Sequence, residues 1–145
     1  MAKLRKLLPR HKRAPLSRGE AMSRIRSYGT APERVVRQIL SRSGTKYRMN
    51  VRDLPGRPDF ANKTRKFAIF VHGCFWHSHD CKHGSQMPEV RAEFWRAKRS
   101  STKQRDARNV ERLQSLGWQV LIIWECQTKC DDAKLISVID EALGR

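Results

Sequence analysis

The stretch that most limits what this chain can fold into is "KFAIFVHGCFWHSHDC", residues 66–81. Its continuous apolar half has the pattern of a central strand. It then opens into a loop of about a dozen residues, of which Cys74, His77, His79 and Cys81 are potential metal ligands. A structural zinc ion takes about four thiolate or imidazole ligands in a closed tetrahedron. Cys74, His79 and Cys81 can supply three. Cys126, just past a second apolar run "WQVLIIW", can supply the fourth and tie the loop to the sheet, with Cys130 competing for that place. The plain alternative is that Cys126 is simply a buried thiol.

Zinc on these residues leaves His72 and His77 over. Imidazole exchanges a proton near neutral pH, as general acid–base work requires, although a lone histidine is more often structural. Phe75 and Trp76 are adjacent large rings in a loop. Either one packs and the other is half exposed, or both form a wedge that enters a base stack. Asp59, in "LPGRPDF", stands at a strand start where a carboxylate can hold a divalent ion, with the next strand end and His72 nearby. Pro-Asp is also ordinary turn chemistry.

The chain has 145 residues, enough for one domain with a sizeable core. It carries 31 Lys and Arg against 14 acids, a formal charge of +17, which favours a polyanionic partner. Residues 1–29 are basic, rich in Pro, Gly and Ser, and lack sustained apolar periodicity. They read as a flexible arm with a short helix near "EAMSRIR", ahead of a domain over residues 30–145. Neither a secretory signal nor a membrane span is expected, so the compartment is the reducing cytoplasm, where cysteines more often bind metal than pair.

"TAPERVVRQILSRSG" has capping-box spacing at Thr30 and Glu33, Pro32 in the first turn and Gly44 at the end, predicting a helix. "KYRMNV" alternates, predicting a half-buried strand with Tyr47, Met49 and Val51 on one side. "DF" starts a second strand and "KFAIFV" is the third. A very basic helix runs from Glu93 to Leu116, "WQVLIIW" is another buried strand, and "DDAKLISVIDEAL" is a closing helix that starts near Asp131. The order α-β-β-β-α-β-α implies a small α/β sheet flanked by helices.

Taken together, "LPGRPDF", "VHGCFWH", "EFWRAK" and "LGWQVLIIWEC" resemble the very short patch repair DNA mismatch endonucleases, over most of the chain from about Met22 to Cys126 and in the family's order. The resemblance implies a restriction-endonuclease-like single domain, a small mixed sheet flanked by helices, with a structural zinc site. It implies an enzyme that nicks duplex DNA 5′ to the T of a T·G mismatch left by deaminated 5-methylcytosine. Asp59 would bind catalytic magnesium (Mg2+) with the Val71 carbonyl. His77 would move the main proton, with His72 assisting and Glu33 an acid of the site as well as a helix cap. Cys74, His79, Cys81 and Cys126 would hold zinc (Zn2+). Phe75, Trp76 and Trp95 would be inserted beside the mismatch, with Met22 entering from the minor groove. The family also implies monomeric action near the nucleoid, and mismatch-repair proteins and a cytosine-5 methyltransferase system as partners.

Two departures stand out. Thr102 occupies the place, shortly before "RD", where the family usually has Asn, and the basic stretch before Met22 is unusually long. Two other readings compete: a restriction or defence nuclease of the same fold acting on unmismatched DNA, and a non-catalytic zinc module that binds nucleic acid. The second leaves Asp59 and two free histidines without a purpose.

Overall fold

The computed structural model describes residues 29–145; the arm over 1–28, with its expected short helix and Met22, lies outside the described residues. Helix α1 (Ala31–Arg42) begins at Thr30, whose Oγ1 accepts the Glu33 N–H at 3.5 Å, while the Glu33 carboxylate reaches past the N–H that a full capping box would use to accept from the Gly29 N–H at 2.7 Å and the Thr30 hydroxyl at 3.2 Å. Its Val36, Ile39 and Leu40 are buried.

Four strands follow in spatial order β1-β2-β3-β4: β1 (Arg48–Met49), β2 (Phe60–Asn62), β3 (Phe67–His72) and β4 (Gln119–Trp124). The first two pairings are antiparallel and β3–β4 is parallel. Helix α2 (Ala92–Ser115) makes the crossover into β4 and stops where Gly117 turns the chain at φ +80°. A one-turn helix α3 (Glu125–Thr128) and the closing helix α4 (Asp132–Ala142) complete the chain. The mixed sheet flanked by helices agrees with expectation; α3 is an addition to the predicted order.

Alternation along β3 divides the core. Phe67 and Ile69, with Ile123 of β4, pack against α1 and α4 through Val36, Leu40, Leu135 and Ile139. Ala68 and Phe70 face the other way, onto Leu113 of α2. By the same alternation His72 falls on the α2 side.

Two strands differ from their sequence reading. β1 has only two residues, both exposed, and Met49 points outward while Tyr47 stands edge-on to Phe60 at 5.4 Å. The left-handed turn of Asn50, at φ +49°, breaks the alternation that "KYRMNV" suggested. β4 lies at the sheet edge, so of its six residues only Ile123 is fully buried.

Candidate functional site

The parallel pairing of β3 with β4 sets His72 opposite Trp124. The loop after β3 therefore meets the start of α3, and Cys126 comes within reach of Cys74. Ligand atoms of Cys74, His79, Cys81 and Cys126 all lie within 4.8 Å of one another. The Cys126 N–H donates to Cys74 Sγ at 3.4 Å, His79 Nδ1 is 3.5 Å from Cys126 Sγ, and the Gly84 N–H donates to Cys81 Sγ at 3.4 Å. Cys130 is exposed and outside the group. His79 turns its Nε2 to Asp80 at 3.3 Å, the carboxylate–imidazole arrangement that orients a metal ligand.

The thiols respond to this crowding. Burial pushes Cys74 up to about 12, whereas the Gly84 N–H draws Cys81 down to about 6. Three sulfurs and an imidazole at this spacing suit a tetrahedral dication, which would stabilise all three thiolates. Gly84 closes the loop at a point with no room for a side chain, since a Cβ there would overlap the His79 carbonyl and the Cys74 carbonyl oxygen.

Between His77 and His79 the chain passes through Ser78 at φ +56°. That left-handed residue lets the two imidazoles serve different groups. His79 stacks on Trp124 at 4.3 Å beside the thiols. His77 instead lies face to face with His72, ring centroids 3.8 Å apart and 6° from parallel, and its Nδ1 meets Asp106 Oδ2 at 2.5 Å.

Burial would raise Asp106, but the hydrogen bond and charge of His77 outweigh it and hold the carboxyl below the usual range. Asp106 is therefore an acceptor, Nδ1 carries the hydrogen, and Nε2 is left as the basic atom of His77. Burial, then the neighbouring His77, pushes His72 down to about 4, so it stays neutral at physiological pH. His72, His77 and Asp106 lie close enough to suggest a second metal group. The stacking argues against it: lone pairs in two parallel ring planes do not converge on one ion.

Asp59 sits at the mouth of the same region. Its Oδ2 accepts the Val71 N–H at 2.7 Å. Burial pushes the carboxyl up to about 7, with the charge of Glu33 adding to the rise and the Val71 N–H and the charge of His77 opposing it. Glu33 is 4 % exposed, so two acids share a partly dry place, and among the described residues neither forms an ion pair. Two acids so placed could hold a divalent ion.

Phe75, Trp76 and Trp95 form a triangle of edge-to-face rings with centroids 5.4, 5.6 and 5.7 Å apart. All three are half-buried, so neither a core nor a free surface describes them. Lys98 lies 5.7 Å from the Trp76 centroid, and the exposed Phe94 ring stands 5.3 Å from Trp95.

The structure thus gathers Asp59, Glu33, His72 and His77 at one end of the sheet, the four sulfur and imidazole ligands beside them, and the three rings on the same loop and α2. Met22 alone lies outside the described residues. The sequence reading missed Asp106 and Trp124. Asp106 had a signal, as the sole acid between Glu93 and Glu111 in a run of cations. Trp124, which touches both His72 and His79, was hidden in an apolar run.

Comparison with known proteins identifies the family. The family described as DNA mismatch endonuclease Vsr matches residues 11–83. The chain is 40% identical over 127 residues to the DNA mismatch endonuclease Vsr of Escherichia coli K12, covering 88% of this chain and 78% of that one. It is 37% identical over 130 residues to a type II nicking enzyme of Xanthomonas oryzae pv. oryzae, covering 88% and 95%. With a type II nicking enzyme of Neisseria meningitidis the figures are 37% over 112 residues, 77% and 79%.

Proposed function

Because this chain belongs to the Vsr family of DNA mismatch endonucleases, we propose that it nicks duplex DNA on the 5′ side of the T in a T·G mismatch, starting very short patch repair. The coarser activity, a nuclease that breaks a DNA strand, follows from the family. The finer one rests chiefly on one observation: the His77–Asp106 pair and the three-ring wedge belong to the same loop and the same helix.

In this reading Asp59 and the Val71 carbonyl would hold magnesium, with Glu33 an acid beside them, and the ion when bound would stabilise charge on the attacked phosphate and the leaving oxygen. Asp106 keeps the hydrogen of His77 on Nδ1, and Nε2 takes the proton of the attacking water. His72, neutral against the His77 ring, tolerates the charge that His77 gains, where a second imidazolium would repel it. The set supplies one strand break, as a nick requires. Cys74, His79, Cys81 and Cys126 would hold zinc, which when bound would fix the loop that carries both His77 and the wedge.

Lesion choice follows from stacking. Opening a duplex costs a few kcal/mol, and less where the step is mispaired. A ring against a base returns about 1–3 kcal/mol, so Phe75, Trp76 and Trp95 enter a T·G step more readily than a T·A step. The phosphates are drawn by the basic surface whatever the sequence. Among the described residues no helix is long and apolar enough to cross a membrane.

The test is nicking of T·G and T·A duplexes that share one flanking sequence, repeated over several flanks with and without magnesium. Faster cleavage of T·G, dependent on magnesium, is the expected result. Equal cleavage of both would favour the strand-nicking role named for the Xanthomonas and Neisseria relatives over mismatch repair.

A further inference from the structure

Helix α2 contains a buried cation with no anion beside it. Arg99 is 4 % exposed, and among the described residues no carboxylate forms an ion pair with it. One terminal nitrogen donates to the Gln86 carbonyl at 3.0 Å and lies 3.9 Å from Met87 Sδ; the other donates to the Gly84 carbonyl. Its Nε is buried with no hydrogen-bond partner. On its open face the guanidinium lies 5.0 Å from the centroid of the Phe75 ring.

For folding alone this is a poor choice, since a buried charge paired only by carbonyls and a ring face is costly and a methionine of similar length would serve as well. What a guanidinium adds is direction: its planar fork fixes two carbonyls, and its face fixes a ring. Those groups are strategic. The Gly84 N–H rests on Cys81 Sγ, and the Phe75 ring stands 5.6 Å from Trp95, one turn before Arg99 on the same helix.

We propose that Arg99 is a positioning residue for the wedge, seating the Phe75 ring against Trp95 and tying that seat through Gly84 to the metal loop. The ring then meets DNA already oriented, which spares the ordering that binding would otherwise require. The inference rests on the mismatch-wedge reading and goes beyond it by assigning the support to one side chain.

The experiment uses Arg99→Met and Arg99→Lys in the full-length protein as purified, with Trp76→Ala in parallel. It measures affinity for T·G and T·A duplexes, single-turnover nicking at saturating enzyme, melting temperature, and the fluorescence of 2-aminopurine placed beside the mismatch. Arg99→Met should remain folded, with T·G preference reduced about tenfold and the 2-aminopurine unstacking signal diminished. Nicking of saturated T·G duplex should slow by much less than the loss in preference. Arg99→Lys should restore part of both, because it returns the cation and one carbonyl bond. A lower melting temperature with both affinities weakened together would mean that Arg99 only holds the fold, and would overturn the assignment. So would an Arg99→Met protein with full preference and full fluorescence change while Trp76→Ala has lost preference. If Trp76→Ala also keeps its preference, the wedge itself is wrong and its seat falls with it.

Discussion

Replacing Asp59 with asparagine should make the protein both inactive and more stable, and the gain should appear only above about pH 4. Burial, and then the charge of Glu33, lift the Asp59 carboxyl from its ordinary 3.8 to about 7. The folded chain consequently keeps a proton that the unfolded chain releases, and stability falls as pH rises from about 4 to about 7, then levels off. The whole displacement corresponds to about 4 kcal/mol at 1.36 kcal/mol per pH unit, and partial solvent access reduces it to about 2 kcal/mol. The uncharged amide of the variant loses nothing through this pH range and can still accept the Val71 N–H. Urea unfolding of both proteins in magnesium-free buffer from pH 4 to 8 isolates the effect, because every other titrating group is common to both. The difference should be near zero at pH 4 and reach about 2 kcal/mol at pH 8, roughly 1 M in the urea midpoint for a chain of this size. Magnesium should narrow the gap by stabilising the wild type alone. A difference that does not change with pH, or a wild type favoured at pH 8, would refute the placement of Asp59 in a dry, anionic pocket.

Protein purified without added metal should contain about one zinc per chain by elemental analysis; Cys126→Ser should lower both that content and the melting temperature, and Cys130→Ser should lower neither. Asp106→Asn should slow single-turnover nicking about tenfold to a hundredfold, the worth of a hydrogen bond to a charged group, with DNA affinity unchanged by gel shift. Gly84→Ala should fail to retain zinc and melt at a markedly lower temperature, because the added methyl overlaps the His79 carbonyl.

The local devices were legible because they are local. Thr30 and Glu33 cap α1 as their spacing requires, Gly117 ends α2, and the apolar run through Val71 is the central strand. The cluster of candidate metal ligands was readable for the same reason, three of them lying within eight residues. What escaped depends on the fold. Asp106 is 29 residues from His77, and only the packing of α2 across the sheet end joins them. Arg99 is one of many cations in its helix until burial singles it out. Trp124 reads as core, and its contacts with two histidines come from the parallel register of β3 and β4. The strand expected around Met49 failed at Asn50, whose left-handed backbone no periodicity announces.

Helix α2 carries Trp95 and Asp106 eleven residues apart. Eleven steps of 100° bring a helix back to within about 20° of where it began, some 16 Å along its axis. The Trp95 ring and the carboxylate bonded to His77 are thus mounted on one side of one rod. Successive nucleotides of a strand are about 3.4 Å apart along the duplex, and the length of the rod is fixed by its residue count. An added turn would carry one end forward by about 5 Å, more than a nucleotide, and an added residue would swing it about 100° out of line. The separation of the ring cluster from the His77–Asp106 pair is therefore machined into the length of a helix.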